Sequence, residues 1–150
     1  MNWLIQILIA LAIVLLFGVS AVDSGPRIGD GWVAVNVNGH PGVIVPADYA
    51  VNFGTGAEEF WMPTESDVVN TELAITEEEG DLAHLRQYAG IVEDGDKKVF
   101  VNGFCDDAGR NWYAEIVAVD DGGECFFSAL YNVDTGELEY FRFNGYGWKN

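Results

Sequence analysis

From Trp3 to Val22 the chain is apolar apart from Gln6, Gly18 and Ser20, and every charged residue lies behind this run. About 20 apolar residues suffice to cross a bilayer, whereas the core of a signal peptide needs only about 7 to 15. The pattern predicts a single transmembrane helix over 1–22. Trp3 would sit at the headgroup boundary, and Leu4, Ile5, Leu8, Leu11, Leu15 and Phe17 would form the anchor. Val19-Ser20-Ala21 presents the small residues that a signal peptidase reads, so cleavage after Ala21 and release of a secreted chain is the alternative. Arg27 is the only cation near either end and sets orientation weakly. With almost nothing before the apolar run, the bulk of the chain is expected outside the cytoplasm, in a periplasmic or extracellular location.

Behind the run, residues 23–31 have the Gly, Pro and Asp content of a linker, and residues 32–150 are expected to form one domain. Trp32 to Val37 alternates in polarity, Asn38-Gly39-His40-Pro41-Gly42 interrupts it, and Val43-Ile44-Val45 follows, which predicts a hairpin. Residues 46–63 carry Pro46, Gly54, Gly56 and Pro63 and read as irregular. Thr64 with Asp67 three residues on resembles a capping box, so a helix is expected from Glu65, with Val68, Val69, Leu73 and Ile75 as its apolar stripe. A second helical turn is expected over Asp81 to Tyr88, with Leu82 and Leu85 inward. Strands are predicted at Tyr88 to Val92, Lys97 to Cys105, Trp112 to Val119, Glu124 to Val133 and Leu138 to Asn144. Asp94-Gly95, Asp120 to Gly123 and Asp134-Thr135-Gly136 supply the turns. The expected fold class is α+β: a transmembrane helix, then a β-hairpin, one or two helices and a four- to five-stranded antiparallel sheet with the helix across one face. This element order resembles the cystatin-like and nuclear-transport-factor-like folds, an analogy that transfers no function.

All 24 acidic and 7 basic residues lie after the apolar run, giving a formal charge of −17 on roughly one domain's worth of chain. Such a field repels nucleic acid, so no nucleic-acid partner is expected; it suits cationic partners, or simply solubility or a saline medium. Cys105 and Cys125 are the only cysteines. Export favours a disulfide between them. In a simple meander, however, about six residues of strand, roughly 20 Å, would separate their levels, against the 7 Å or so that a disulfide tolerates. Either Asp106 to Asn111 folds back and breaks that register, or the cysteines are buried and unpaired.

His40 and His84 belong to no ligand or catalytic spacing. The acidic clusters at Glu77 to Asp81, Glu93 to Asp96 and Asp120 to Glu124 lack the alternation of a calcium loop and read as solvated turns. No catalytic residue, metal site or cofactor is expected, and the chain is not read as an enzyme. The aromatics carry more information. Adjacent pairs such as Phe126-Phe127 and Tyr140-Phe141 must point to opposite faces of a sheet, so one face covers the helix and the other meets a loop, a partner or a ligand. Trp112, Phe126, Phe127, Tyr131, Tyr140, Phe141 and Trp148 form the candidate interaction surface; residues 46–63, with Phe53, Phe60 and Trp61, are the alternative cover.

The stretch Cys105-Asp106, Gly109, Trp112, Asp121-Gly122-Gly123 and Cys125-Phe126-Phe127, with Tyr131, Asp134-Thr135-Gly136 and Asn144-Gly145, resembles small uncharacterised bacterial exported proteins. Phe60-Trp61, Pro63-Thr64 and Arg86-Gln87-Tyr88 extend the resemblance over roughly the last 90 residues. It implies an extracytoplasmic location and brings no catalytic residues. The expectation is a non-catalytic, membrane-tethered extracytoplasmic module, held through residues 3–22 and serving an unidentified protein partner as an accessory or structural subunit of a larger membrane complex. The alternatives are a ligand-binding or enzymatic domain with a pocket between helix and sheet, and a secreted inhibitor-like or structural protein.

Overall fold

A computed structural model describes residues 28–107, 109–119 and 121–145. Two strands open the domain, β1 (Val33–Val37) and β2 (His40–Ile44), followed by a single helical turn, α1 (Ala47–Ala50), a 3-10 turn at Val51–Phe53, a short strand β3 (Glu59–Trp61) and the long helix α2 (Glu65–Glu79). Then come β4 (Leu85–Glu93), β5 (Asp96–Phe104), a 3-10 turn at Gly123–Cys125, β6 (Phe126–Asn132) and β7 (Glu137–Phe143). All seven strands join one sheet in the order β1-β2-β4-β5-β6-β7, and β3 pairs with the far half of β4. β2 meets β4 in parallel over Gly42–Ile44 and Arg86–Tyr88; the other pairs are antiparallel.

Local chemistry accounts for the clearest elements. Asn38-Gly39 and Asp94-Gly95 both adopt positive φ at both turn positions, the backbone that two-residue hairpin loops require. At the start of α2 the capping box is complete: Thr64 N–H donates to Asp67 Oδ2 at 2.8 Å, and Asp67 N–H donates to Thr64 Oγ1 at 3.2 Å. Glu65 and Asp67 also place negative charge on the first turn, where the helix dipole favours it. The helix ends at Gly80, whose N–H donates to the Thr76 carbonyl.

Two apolar layers hold the sheet. On one face Val68 and Ile75 of α2 pack on Val37, Ile44, Tyr88, Val99, Val101, Phe127 and Ala129. Burying each of these larger side chains is worth about 1.5–3 kcal/mol. The residues of α2 that are buried are Val68, Thr71, Glu72 and Ile75, a spacing of i, i+3, i+4, i+7 that defines one helix face. Val69 and Leu73, expected in the apolar stripe, lie on the solvent side, 37% and 54% exposed. Across this layer Arg86, Gly103 and Phe127 share one row of the sheet. A Cβ on Gly103 would collide with the Phe127 ring. Glycine there lets the Arg86 guanidinium reach that ring from the next strand but one, 5.2 Å from its centroid.

The opposite face carries Trp32, Val43, Val45, Phe104, Trp112 and Val117. Here the expected architecture needs correction. Among the described residues no helix is long and apolar enough to cross a membrane, and the transmembrane helix expected over 1–22, with its anchor residues, lies outside the described residues. The sheet has seven strands instead of four or five, and it is not purely antiparallel. The second helical turn does not form, because Leu85 to Tyr88 are already strand. No strand forms at Trp112 to Val119: that segment runs as turns and extended chain across the sheet face. The region 46–63 is less irregular than expected, since it contains α1 and β3. The end of the expected linker is packed, with Gly29 N–H donating to the Tyr113 carbonyl at 3.0 Å.

Candidate functional site

The segment between β5 and β6 is an excursion closed at its base by the Cys105–Cys125 disulfide, with Cα atoms 4.9 Å apart. The cysteines stand one step beyond the Phe104–Phe126 pair, and Cys105 N–H donates to the Cys125 carbonyl at 2.9 Å. The simple meander register does not form: β5 pairs directly with β6, and the described residues between them lie outside the sheet, so the departure expected for 106–111 takes in 112–119 as well.

Three side-chain amides pin the excursion down. Gln87, fully buried on β4, donates from Nε2 to the carbonyls of Trp112 and Glu115 at 2.8 and 2.6 Å. Its Oε1 accepts from Val117 N–H at 3.0 Å and from Asn102 Nδ2 at 3.2 Å. Asn102 on β5 also donates to the Val117 carbonyl at 2.6 Å, and Asn144 after β7 donates to that of Val119 at 2.6 Å. Buried backbone groups of an irregular segment must find partners, and here the sheet provides them. Phe104 meets Trp112 edge-on at 5.7 Å, and Trp112 stacks on Tyr113 at 3.8 Å.

Beside this cap the same face stays open. Two adjoining hollows, of about 420 and 240 Å³, share Phe53, Phe100 and Arg142. Phe53, delivered by the 3-10 turn after α1, packs on Phe100 with ring centroids 5.3 Å apart. On the edge strand β7, Arg142 donates from Nε to Ser128 Oγ at 3.2 Å and lies 5.4 Å from the centre of the Tyr140 ring. Burial raises the Tyr140 phenol above its usual pKa, with the Arg142 charge opposing, so it stays a neutral donor at neutral pH.

The far end of the groove is a closed polar knot. Lys98, 5% exposed, donates to Glu139 Oε2 at 2.8 Å and Glu93 Oε2 at 3.0 Å. Asn132 Nδ2 bridges Glu139 Oε1 and Asp96 Oδ2, both at 2.9 Å. The hydrogen bond from Lys98 lowers the Glu139 pKa, with Asn132 helping and burial opposing. The same bond raises that of Lys98 against burial, with Glu93 helping. Glu139 therefore contributes stability above the ordinary glutamate pKa and loses it as pH falls through the lowered folded value. Lys98 contributes below the ordinary lysine pKa and loses it as pH rises through the raised value. Lys98→Met is expected to lower the urea midpoint at neutral pH, and its deficit relative to wild type should shrink between about pH 6 and pH 3. A deficit independent of pH would show that the pair contributes nothing through ionisation.

No family model, curated protein or solved structure matches the chain. The site is therefore read from its own geometry.

The aromatic residues singled out from the sequence do not form one surface. Trp112, Phe127 and Tyr131 are buried, at 5%, 0% and 7% exposure, so they are core rather than interface. Phe126 and Phe141 are half-buried against opposite layers, Tyr140 borders the groove, and Trp148 lies outside the described residues. The face that needed covering is covered from both directions, by Phe53 from 46–63 and by the disulfide-closed excursion. His40 pairs with Asp81 at 2.6 Å; His84 Nε2 lies 3.0 Å from the Glu124 carbonyl and 3.9 Å from Cys105 Sγ. Asn102, Ser128 and Arg142 are not marked by the sequence, and Gln87 is marked there only within the resemblance, with no role. Their only signal is alternation: each falls on the β4, β5, β6 or β7 positions that face away from α2.

Proposed function

We propose that the chain is a non-catalytic extracytoplasmic module, held at a membrane through the apolar run of residues 3–22, that serves as an accessory or structural subunit of a larger assembly. The disulfide supports an extracytoplasmic setting, because such bonds persist in oxidising compartments. The non-catalytic half of the reading rests on how the charged groups are used. Lys98 and Glu139 are shifted away from neutrality by their mutual bond, which suits a fixed ion pair and not a proton carrier. Glu72 is committed to Arg86 and Tyr88 in the core.

The observation that carries the interaction half is on α2. Val69 and Leu73, spaced i, i+4, stand together on its solvent side. Both lie outside the core cluster, Leu73 the more exposed at 54%, and two neighbouring apolar residues on an outward helix face suit a helix or sheet of another subunit.

The test is to express Val69→Glu/Leu73→Glu in the native host, extract membranes with mild detergent, and compare native-gel mobility and urea midpoint with wild type. The expected outcome is loss of the larger species with an unchanged midpoint. A wild-type chain that runs as a free monomer, or a variant that retains the larger species, would sink the reading.

A further inference from the structure

We infer that the groove beside Arg142 is a binding site for a small organic carboxylate with an apolar body, the guanidinium holding the carboxylate and Phe53 and Phe100 the body. It lies on the sheet face opposite α2, away from Val69 and Leu73, and does not depend on the subunit role proposed above. The first support is how cations are used in a chain of 24 acids and 7 bases. Arg86 and Lys98 are both engaged by carboxylates of the chain itself. Arg142 is not, a state it shares with Lys97, whose ammonium lies over Trp61: among the described residues no carboxylate approaches Arg142 within 4 Å, although Glu93 and Glu139 border the same hollow. Both acids bond Lys98, which answers one of their two charges and leaves a single net negative charge at that end of the hollow.

The second support is that Arg142 is positioned. Ser128 Oγ accepts from its Nε, and the Tyr140 ring lies 5.4 Å from its guanidinium carbon, so neither contact uses the two Nη groups. A planar fork matches two carboxylate oxygens, and the neutral Tyr140 hydroxyl stands beside it. The third support is the apolar floor. Phe53, Phe100, Ile91 and Leu130 line the remainder of a hollow of about 420 Å³, within the size range of small-molecule sites. One cation in a field of −17 favours a monoanion over a phosphate dianion. At 0.15 M salt the Debye length is about 8 Å, so carboxylates well outside the groove are largely screened.

The test uses the full chain in lipid nanodiscs at 0.15 M salt, titrated with 4-phenylbutyrate and, separately, with the uncharged 4-phenylbutyramide, while following backbone amide shifts by NMR. The expected result is saturable shifts at Ser128, Tyr140 and Arg142 with the carboxylate, and at least about tenfold weaker binding of the amide. Arg142→Gln should weaken the carboxylate by a similar factor without changing the amide, and Phe53→Ala should weaken both. Absence of saturation by about 10 mM carboxylate, or equal affinity for the two probes on the wild-type chain, would overturn the inference, whatever the variants do.

Discussion

Glu72→Ala is expected to destabilise the domain by about 3–5 kcal/mol, the largest single-substitution effect argued for this molecule. Glu72 sits in the middle of α2 with 1% exposure, facing the sheet. Its Oε1 accepts from Arg86 Nε at 3.2 Å and from Tyr88 Oη at 2.9 Å. Arg86, equally buried, completes its bonds with the Leu82 carbonyl at 2.7 Å and the His84 carbonyl. Alanine at 72 leaves the guanidinium charged in the core without its counterion and the phenol without an acceptor. Burial, reinforced by the Glu72 charge, raises the Tyr88 phenol well above its usual pKa, so it stays protonated and still needs that acceptor.

The sign of the double replacement separates specificity from stability. Glu72→Leu with Arg86→Met should recover most of the loss, because an apolar pair of similar volume avoids the desolvation cost that the ion pair carries. Glu72 Oε2 has no partner in its buried position, so the native pair is incompletely satisfied, which makes that recovery larger. Equilibrium urea unfolding of the two single variants and the double variant reads all three values. A loss below about 1 kcal/mol for Glu72→Ala would mean that water reaches Arg86 and that the core is not closed there.

This pair also shows where the sequence stops being legible. The start of α2 can be read from Thr64 and Asp67, and the tight hairpin from Asp94-Gly95, because capping and left-handed turns are local chemistry; the break expected over Asn38 to Gly42 is only the Asn38-Gly39 turn, with His40 to Gly42 already in β2. The buried face of α2 cannot be read by hydropathy. Thr71 and Glu72 are inside while Val69 and Leu73 are outside, and the identity of the inward face was decided by Arg86 and Tyr88 on a distant strand. The segment Trp112 to Val119 alternates like a strand and is not one. Its neighbour in the sheet is taken by β6, whose Phe126 follows directly on the disulfide, and Gln87 and Asn102 satisfy its backbone in place of a ladder. Three-residue β3 carries too short a pattern to register, and the parallel contact of β2 with β4 depends on a crossover that no local signal marks. Of the candidate groove, Tyr140 was legible as an aromatic at a face-defining position. Arg142 and Ser128 were not, since their meaning comes from β6 and β7 lying side by side.

Cys105→Ser or Cys125→Ser is expected to cost about 3 kcal/mol under non-reducing conditions. The bond closes a separation of 20 residues, and loop-closure entropy for a loop of that size gives a value of this order. The loss should be uneven across the structure. Inside the closed excursion lie Trp112 and Val117, which form much of the layer over Phe104 and Val43. Outside it, β4 and β5 keep their core against α2. Without the bond the excursion is held by Gln87, Asn102, Asn144, the Gly29–Tyr113 and His84–Glu124 hydrogen bonds and its apolar contacts, so hydrogen exchange at Val117 N–H should accelerate before that of Val99 or Val101. Because Gln87 and the disulfide hold the same segment, their removal should not be additive: Gln87→Leu should cost less in the serine variant than in the oxidised protein. Additive losses, or equal acceleration of exchange on both sides of the sheet, would mean that the excursion unfolds only with the whole domain and that the cross-link acts on the unfolded chain alone. An uneven response would instead make the excursion a separately opening lid on the second core layer, with the disulfide setting how often it opens.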